Sequence, residues 1–380
     1  MTNFQAYSSP KLSSISILIL LLLQACSIQP LSWRPAPKPA FEGPLELNQD
    51  LRASEAISLD GWAGAEDIVM DQDGNLYCGV HRSPDDFSDG KILQISPEGH
   101  VEIFYDAGSW VAGLHFDSAD NLIALSHREG LIQIHPDKSV TVLATQDEFG
   151  RPFLIPNGLD IASDGRIYFS NTSHESAYHI QYGRQLILEH KPQGGLHRYD
   201  PHTGEIHTLI DGTYFGNGVV LSQDEEYLLM TETTSYRILR YWLKGEQAGQ
   251  TEIFMDNLPG FPNGISIRED GSYWVGFTTV RNDALDKIHP RKAMKKLVYA
   301  LPDFLQPKAE AFGMVLQISP DGDILQALFD PTGEIVPEAG AVKEYRGRLY
   351  IGGDVVEHIS ALSLREYSSK QTFASPASDK

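Results

Sequence analysis

Cysteine is scarce in this chain: Cys26 and Cys78 are the only two in 380 residues. A disulfide framework is therefore not what stabilises it. Positive charge is also in short supply, with 30 Lys and Arg against 51 Asp and Glu and a formal net charge of −21. Nucleic acid is a poor partner for such a chain, because phosphates need a basic face. Cation binding and high solubility are both compatible with it. Several catalytic signatures are missing too. No Gly-x-Ser-x-Gly elbow occurs, which argues against a serine hydrolase of that type. No Gly-rich phosphate loop ending in Lys and Ser or Thr is present, and "HESAYH" (His174 to His179) is one residue too long for a zinc-protease helix. Cys78 sits within an apolar stretch and reads as buried filler rather than as a nucleophile.

Long apolar runs are confined to the N-terminus. Ile15 to Leu23 follows Lys11 and is too short to span a bilayer comfortably, so it fits the apolar part of a signal peptide. It ends in Leu23-Gln24-Ala25-Cys26, which resembles a bacterial lipobox. The expected organisation is a signal peptide over 1–25, then a lipidated Cys26 opening a Pro-rich tether over 26–44. The body spans 45–366 and a flexible tail 367–380. Pro-rich sequence forms extended spacers. An ordinary signal peptide or an uncleaved anchor with an incidental Cys is the alternative. Ser27, where Asp would resemble an inner-membrane retention signal, favours the outer membrane of a two-membrane envelope, facing the periplasm. The membrane is then a partner through the lipid on Cys26.

What the chain does have is a repeat. Six segments of sixteen residues align without gaps, beginning at Glu66, Ala112, Asn157, Asn217, Asn263 and Ala339. Each holds an apolar run, a polar turn often reading Asp-Gly, and a second run rich in aromatic and β-branched residues, which describes a hairpin. A weaker strand pair follows most of them, as in "KILQISPEGHVEIFYD" and "MVLQISPDGDILQALFD". Four strands per unit predict an all-β fold, a six-bladed β-propeller. The stretch from Leu45 to Leu59 is expected to close the ring against "HISALSLRE". Two spacings are longer than the rest. One insertion lies around His174 to Gly194. The other, from about Asn282 to Phe312 in blade 5, sets Met294, Leu297, Val298 and Leu301 at helical spacing among Arg291, Lys292, Lys295 and Lys296. It reads as a helix packed on the propeller, a lid, or a contact with anionic lipid.

In a propeller the first strand of each unit is innermost and its start faces the axis. One column therefore converges there: Glu66, Ala112, Asn157, Asn217, Asn263 and Ala339. Oxygens of Glu and Asn suit a hard cation such as calcium. The Gly that follows most of these residues is expected to let backbone and metal approach closely. A plug of hydrogen-bonded amides is the alternative. Fifteen residues on, a second polar column reads His81, His127, Thr172, Glu232, Thr278 and Asp354, with Asn171 or Ser173 in play if the register slips by one. These residues are expected to line a substrate pocket or to support the metal ligands.

"LIPNGLDIASDGRIYFSNTS", "NGVVLSQDEEYLLMTETTSYRILRYWLKG" and "NLPGFPNGISIREDGSYWVGFTTVR" resemble the calcium-dependent phosphotriesterase superfamily of gluconolactonases, regucalcin and paraoxonases. They are most similar to its strictosidine synthase-like branch, which includes adipocyte plasma membrane-associated protein. The similarity covers roughly 45–362. The resemblance implies a metal held by Glu, Asn, Asn and Asp, one from each of four blades. Glu66, Asn157 and Asn217 match, and Asn263 stands where the pattern has Asp. Metal affinity is expected to fall with that change, and Asn cannot serve as the proposed base. The paraoxonase channel His has no counterpart at Ala112; His115 is shifted from that position. Glu338 is the candidate for the strictosidine synthase glutamate.

Two functions follow as expectations. One is calcium-dependent hydrolysis of a small-molecule lactone or ester, with metal on Glu66, Asn157, Asn217 and Asn263 and water activated by Glu66, Glu232 or a pocket His such as His127. The other is a non-catalytic envelope propeller that binds a small molecule or protein partner around a structural cation.

Overall fold

The computed structural model describes residues 28–82, 88–175, 180–302 and 305–364, with only the backbone for 180–182. The expected signal peptide, Cys26 and the C-terminal tail lie outside the described residues. Strand β1 (Glu55–Ser58) comes first. Blade 1 is β2 (Ala63–Met70), β3 (Leu76–His81), β4 (Lys91–Ile95) and β5 (Val101–Asp106). Blade 2 is β6 (Val111–Phe116), β7 (Leu122–Ser126), β8 (Gly130–Ile134) and β9 (Val140–Ala144). Blade 3 is β10 (Pro156–Ile161), β11 (Ile167–Asn171), β12 (Gly194–Asp200) and β13 (Glu205–Thr213). Blade 4 is β14 (Gly216–Leu221), β15 (Tyr227–Glu232), β16 (Arg237–Trp242) and β17 (Thr251–Met255). Blade 5 is β18 (Gly260–Ile267), β19 (Tyr273–Val280), β20 (Gly313–Ile318) and β21 (Ile324–Asp330). Blade 6 joins β22 (Ala341–Tyr345), β23 (Arg348–Gly352) and β24 (His358–Ser363) to β1. The result is the expected six-bladed β-propeller, closed by β1 pairing antiparallel with β24 (Ile57 opposite Ile359).

The gap-free repeat has a backbone signature. Eight residues after each column position the chain is left-handed: Gly74 (φ 92°), Asp120 (60°), Gly165 (85°), Glu225 (53°), Gly271 (80°) and Gly347 (79°). Glycine adopts this conformation without strain, and Asp tolerates it. The six inner hairpins thus turn at one place, which fixes which residues face the axis.

Apolar side chains fill the wedges between blades. Val69, Tyr77 and Ile92 of blade 1 pack on Leu114, Ala124 and Ile132 of blade 2. Val220, Leu229 and Ile238 of blade 4 pack on Ile265, Val275 and Phe277 of blade 5. Second strands are covered on both faces, so β3 and β15 are buried throughout and read as continuous rather than alternating apolar runs. Cys78 is buried in the wedge between blades 1 and 6. Burial pushes its thiol up to about 12, which makes it inert.

The insertions are helical. Helix α1 (Ile180–Glu189) follows β11; α2 (Asp283–Ile288) and α3 (Lys292–Tyr299) follow β19 in blade 5. Tyr299 donates its hydroxyl to Gln185 at 3.3 Å, joining α3 to α1. Lys295, one of the four cations set between the apolar positions, is buried and donates to the Leu31 carbonyl at 2.8 Å.

That bond belongs to a departure from expectation. From residue 28 onward the Pro-rich segment is a strap across blades 3 to 5, not a free tether. Ile28 is fully buried. The Leu31 N–H donates to the Glu189 carbonyl at 2.8 Å, and the Trp33 N–H donates to the His289 carbonyl at 3.3 Å. Buried Arg281 donates to the Ala36 carbonyl at 2.7 Å while pairing with Asp286 at 2.7 Å. Trp33 stacks on His190 at 4.1 Å. Proline-rich chain lacks a ladder of its own, yet its carbonyls are free to accept from such donors.

Candidate functional site at the propeller axis

The column residues sit on bulges. The ladder of β10 skips from Pro156 to Leu159, that of β14 from Gly216 to Val219, that of β18 from Pro262 to Ile265, and that of β2 from Gly64 to Ile68. A bulge frees the residue within it from strand alternation and re-aims its side chain. Here it sends Glu66, Asn157 and Asn217 into the channel, where they line one cavity of about 110 Å³.

The glycines that follow the Asn residues have a packing reason. A Cβ on Gly158 would lie 2.6 Å from Gly218 Cα, and one on Gly218 would lie 2.7 Å from the Asn263 carbonyl oxygen. Each presses against the next blade's inner strand. Close approach between blades requires glycine here.

The two columns are wired together within a blade. Asn263 donates its amide to Thr278 Oγ1 at 2.9 Å, and Asn157 donates to Thr172 Oγ1 at 3.4 Å and to Glu66 Oε1 at 3.5 Å. Thr278 thus holds the Asn263 N–H, and Asn263 Oδ1 is buried with no partner; Asn157 divides its N–H groups between Thr172 and the axial Glu66. His81 meets the Asp354 carbonyl at 2.7 Å. The other expected pocket residues divide. Asn171 spends its amide on loop structure, accepting from the Ile155 N–H and donating to the Ser173 carbonyl. Glu232 accepts from Arg237 at 2.5 Å and from the Tyr214 N–H at 2.9 Å. A carboxylate held on both oxygens is a poor general base. His127 stacks near Trp110, whose ring also meets His81. Burial lowers His127 to about 4, so its ring is neutral at pH 7. His115 lies further along the channel and pairs with Asp160 at 3.3 Å.

Sequence reasoning left Glu66 as the sole carboxylate of the metal set. The structure adds two more from blade 6. Glu66 is raised well above the usual carboxylate range by desolvation and by the neighbouring charges of Asp354, Glu338 and Asp67. Glu338 is raised by burial and by Asp354, and Asp354 is raised by burial. Glu338 takes the N–H groups of Asp354 and Val355, yet its Oε1 and Asp354 Oδ1 are buried without partners. A point 3.5 Å from Asn263 Nδ2 lies 3.6 Å from Asp354 Oδ1, at the place a Gly340 Cβ would take. Three carboxylates and three amides thus surround one end of the channel, and the charges acting on Glu66 are all negative. Buried like charges do not persist without compensation. An oxygen-rich donor set of this kind fits a hard divalent cation. The orphaned oxygens of Asn263, Glu338 and Asp354 are the observation that carries the fit.

A second acidic group, Asp147, Glu148 and His197, lies off the axis. Its carboxylates already accept from Arg151 and Thr208.

A closed six-bladed propeller with a polar ligand set at its axis defines the class of this protein. Comparison with known proteins is consistent with that class. The Strictosidine synthase family model matches residues 157–246, and the model for the N-terminal part of strictosidine synthase-like proteins matches 43–95. Bovine adipocyte plasma membrane-associated protein is 28% identical over 369 residues, covering 91% of this chain and 86% of the relative. Strictosidine synthase-like protein 13 of Arabidopsis thaliana is 33% identical over 259 residues, covering 66% and 60%. In structure, a gluconolactonase from Xanthomonas campestris superposes with a TM-score of 0.58 at 17% identity, covering 87% of this chain and 99% of that one. The calcium-binding protein regucalcin from Agrobacterium tumefaciens gives 0.55 at 12%, covering 81% and 93%. The chain is thus similar in sequence to strictosidine synthase-like proteins, and it shares the propeller fold of gluconolactonase and regucalcin.

Proposed function

We propose that this propeller is a calcium-dependent hydrolase of a small-molecule lactone or ester. The reading rests on the cluster of Glu66, Glu338 and Asp354 with its unpartnered oxygens. Asn157, Asn217 and Asn263 complete the set that would hold the ion. Bound there, calcium supplies a Lewis acid for the carbonyl and a counter-charge for the oxyanion. The chain does the rest. Thr172 and Thr278 accept from the Asn157 and Asn263 amides and fix their orientation. His127 would accept the water proton: its neutral ring gives its one N–H to the Pro156 carbonyl, and because burial lowers the ring to about 4 it can do so only for a water that the bound cation would acidify. Trp110 fixes the ring's plane and keeps the quarter next to Ala112 apolar. Glu232, tied to Arg237, supports the wall of the pocket.

The test is hydrolysis of a lactone and aryl-ester panel by the full-length protein, with chelator and with added calcium. Turnover lost to chelator, restored by calcium and lowered on the order of 100-fold in Glu66→Gln supports the proposal. A folded protein with no turnover on the panel, or one indifferent to chelator, contradicts it.

A further inference from the structure

We propose that the face carrying the strap and α3 docks on an anionic lipid bilayer. The length of free chain is the first ground. Ile28 is fully buried, and the Gln29 N–H donates to Glu189 at 2.7 Å. Cys26 stands two residues upstream, at most about 7 Å of extended chain. A lipid on Cys26 therefore pulls this face to the membrane. An uncleaved apolar segment ending at Leu23, five residues upstream, selects the same face with about 18 Å of chain.

Charge is the second ground. In a chain of net charge −21, residues 287–302 contain five cations and no Asp or Glu. Lys295 is turned inward to the strap, while Lys287, Arg291 and Lys292 are exposed. The opposite end of the propeller is acidic: Asp73, Asp120, Asp164, Glu225 and Asp270 occupy the turns of five inner hairpins. An anionic surface attracts the first face and repels the second.

Exposed apolar side chains are the third ground. Met294 is 38% and Leu297 56% exposed on the side of α3 away from Lys295; Leu31 (39%) and Leu305 (56%) are exposed as well. Basic residues around such a patch characterise helices that lie in a lipid interface.

The experiment uses full-length protein reconstituted in vesicles of phosphatidylcholine with phosphatidylglycerol. A fluorophore is placed by Leu297→Cys or, at the far end, by Asp164→Cys, with the labelled unsubstituted chain as background; buried Cys78 stays unlabelled. Spin-labelled lipid headgroups are the quencher. Strong quenching at 297 with background quenching at 164 is expected, and equal quenching at both overturns the proposal. Quenching at 297 should fall at least twofold in phosphatidylcholine alone and in Lys292→Glu/Lys296→Glu. If neither changes it, the face is not a lipid-docking surface. Quenching that follows protein density instead of lipid charge assigns the face to a second copy and also overturns it. Lys292 is exposed and Lys296 half-buried, and an unchanged melting temperature confirms that the variant is folded.

Discussion

Asn263 places a neutral amide where the family resemblance leads one to expect a carboxylate. The charge is restored from another blade, by Asp354 and Glu338, rather than lost. This makes a direct prediction. Asp354→Asn and Glu338→Gln should each weaken calcium binding by roughly 10- to 100-fold, measured by calorimetry, although neither residue belongs to the resemblance's ligand set. Wild-type affinity in both variants would reduce them to packing groups. The Glu and Asn column was legible in the sequence because it repeats in register. Glu338 and Asp354 were not legible as ligands, because they stand one residue before and fifteen residues after a column whose own member is Ala339. Glu338 precedes β22 and Asp354 follows β23, so the ends of the blade 6 inner hairpin bring both to the axis.

At the scale of elements, the strap is where composition misled. Pro-rich sequence reports the absence of regular structure, not the absence of contacts. Trp33 and Phe41, aromatic residues in a supposed spacer, were the available signal; Phe41 meets Phe329 edge-on. Trp33→Ala should destabilise the protein by about 2 kcal/mol, roughly half the usual cost for a fully buried Trp because Trp33 is only half-buried. Thermal melting checks this. Beneath Trp33, burial lowers His190 to about 3 and His289 to about 2, below the ordinary 6.5. The folded state then binds fewer protons than the unfolded chain, so stability rises with pH across this window. The penalty should be absent above pH 7 and grow as pH falls below 6.5, by up to about 1.4 kcal/mol per unit per histidine. A melting-temperature profile should show the fall, and His289→Gln should flatten it. An unchanged slope in that variant would remove the strap from the account of acid sensitivity.

For the whole molecule, six blades were readable because each buries its faces only against neighbours and so repeats one solution. The turn column and the closing strand followed from the same repeat. What the repeat hides is how tightly the blades meet. A Cβ on Gly79 would lie 1.8 Å from the Val111 carbonyl oxygen, a contact no side-chain rotation relieves. Gly79→Ala should therefore destabilise by about 1–3 kcal/mol or more, seen in urea unfolding. A neutral result would mean that the blades can separate at the axis.

The most direct test of the axis as a cation site is calorimetric titration of calcium into the full-length, chelator-treated protein, with Glu66→Gln beside it. The expected result is saturable binding of a single ion that raises the melting temperature and is lost in the variant. Folded protein that takes up no calcium, or binding unchanged in Glu66→Gln, would contradict the account.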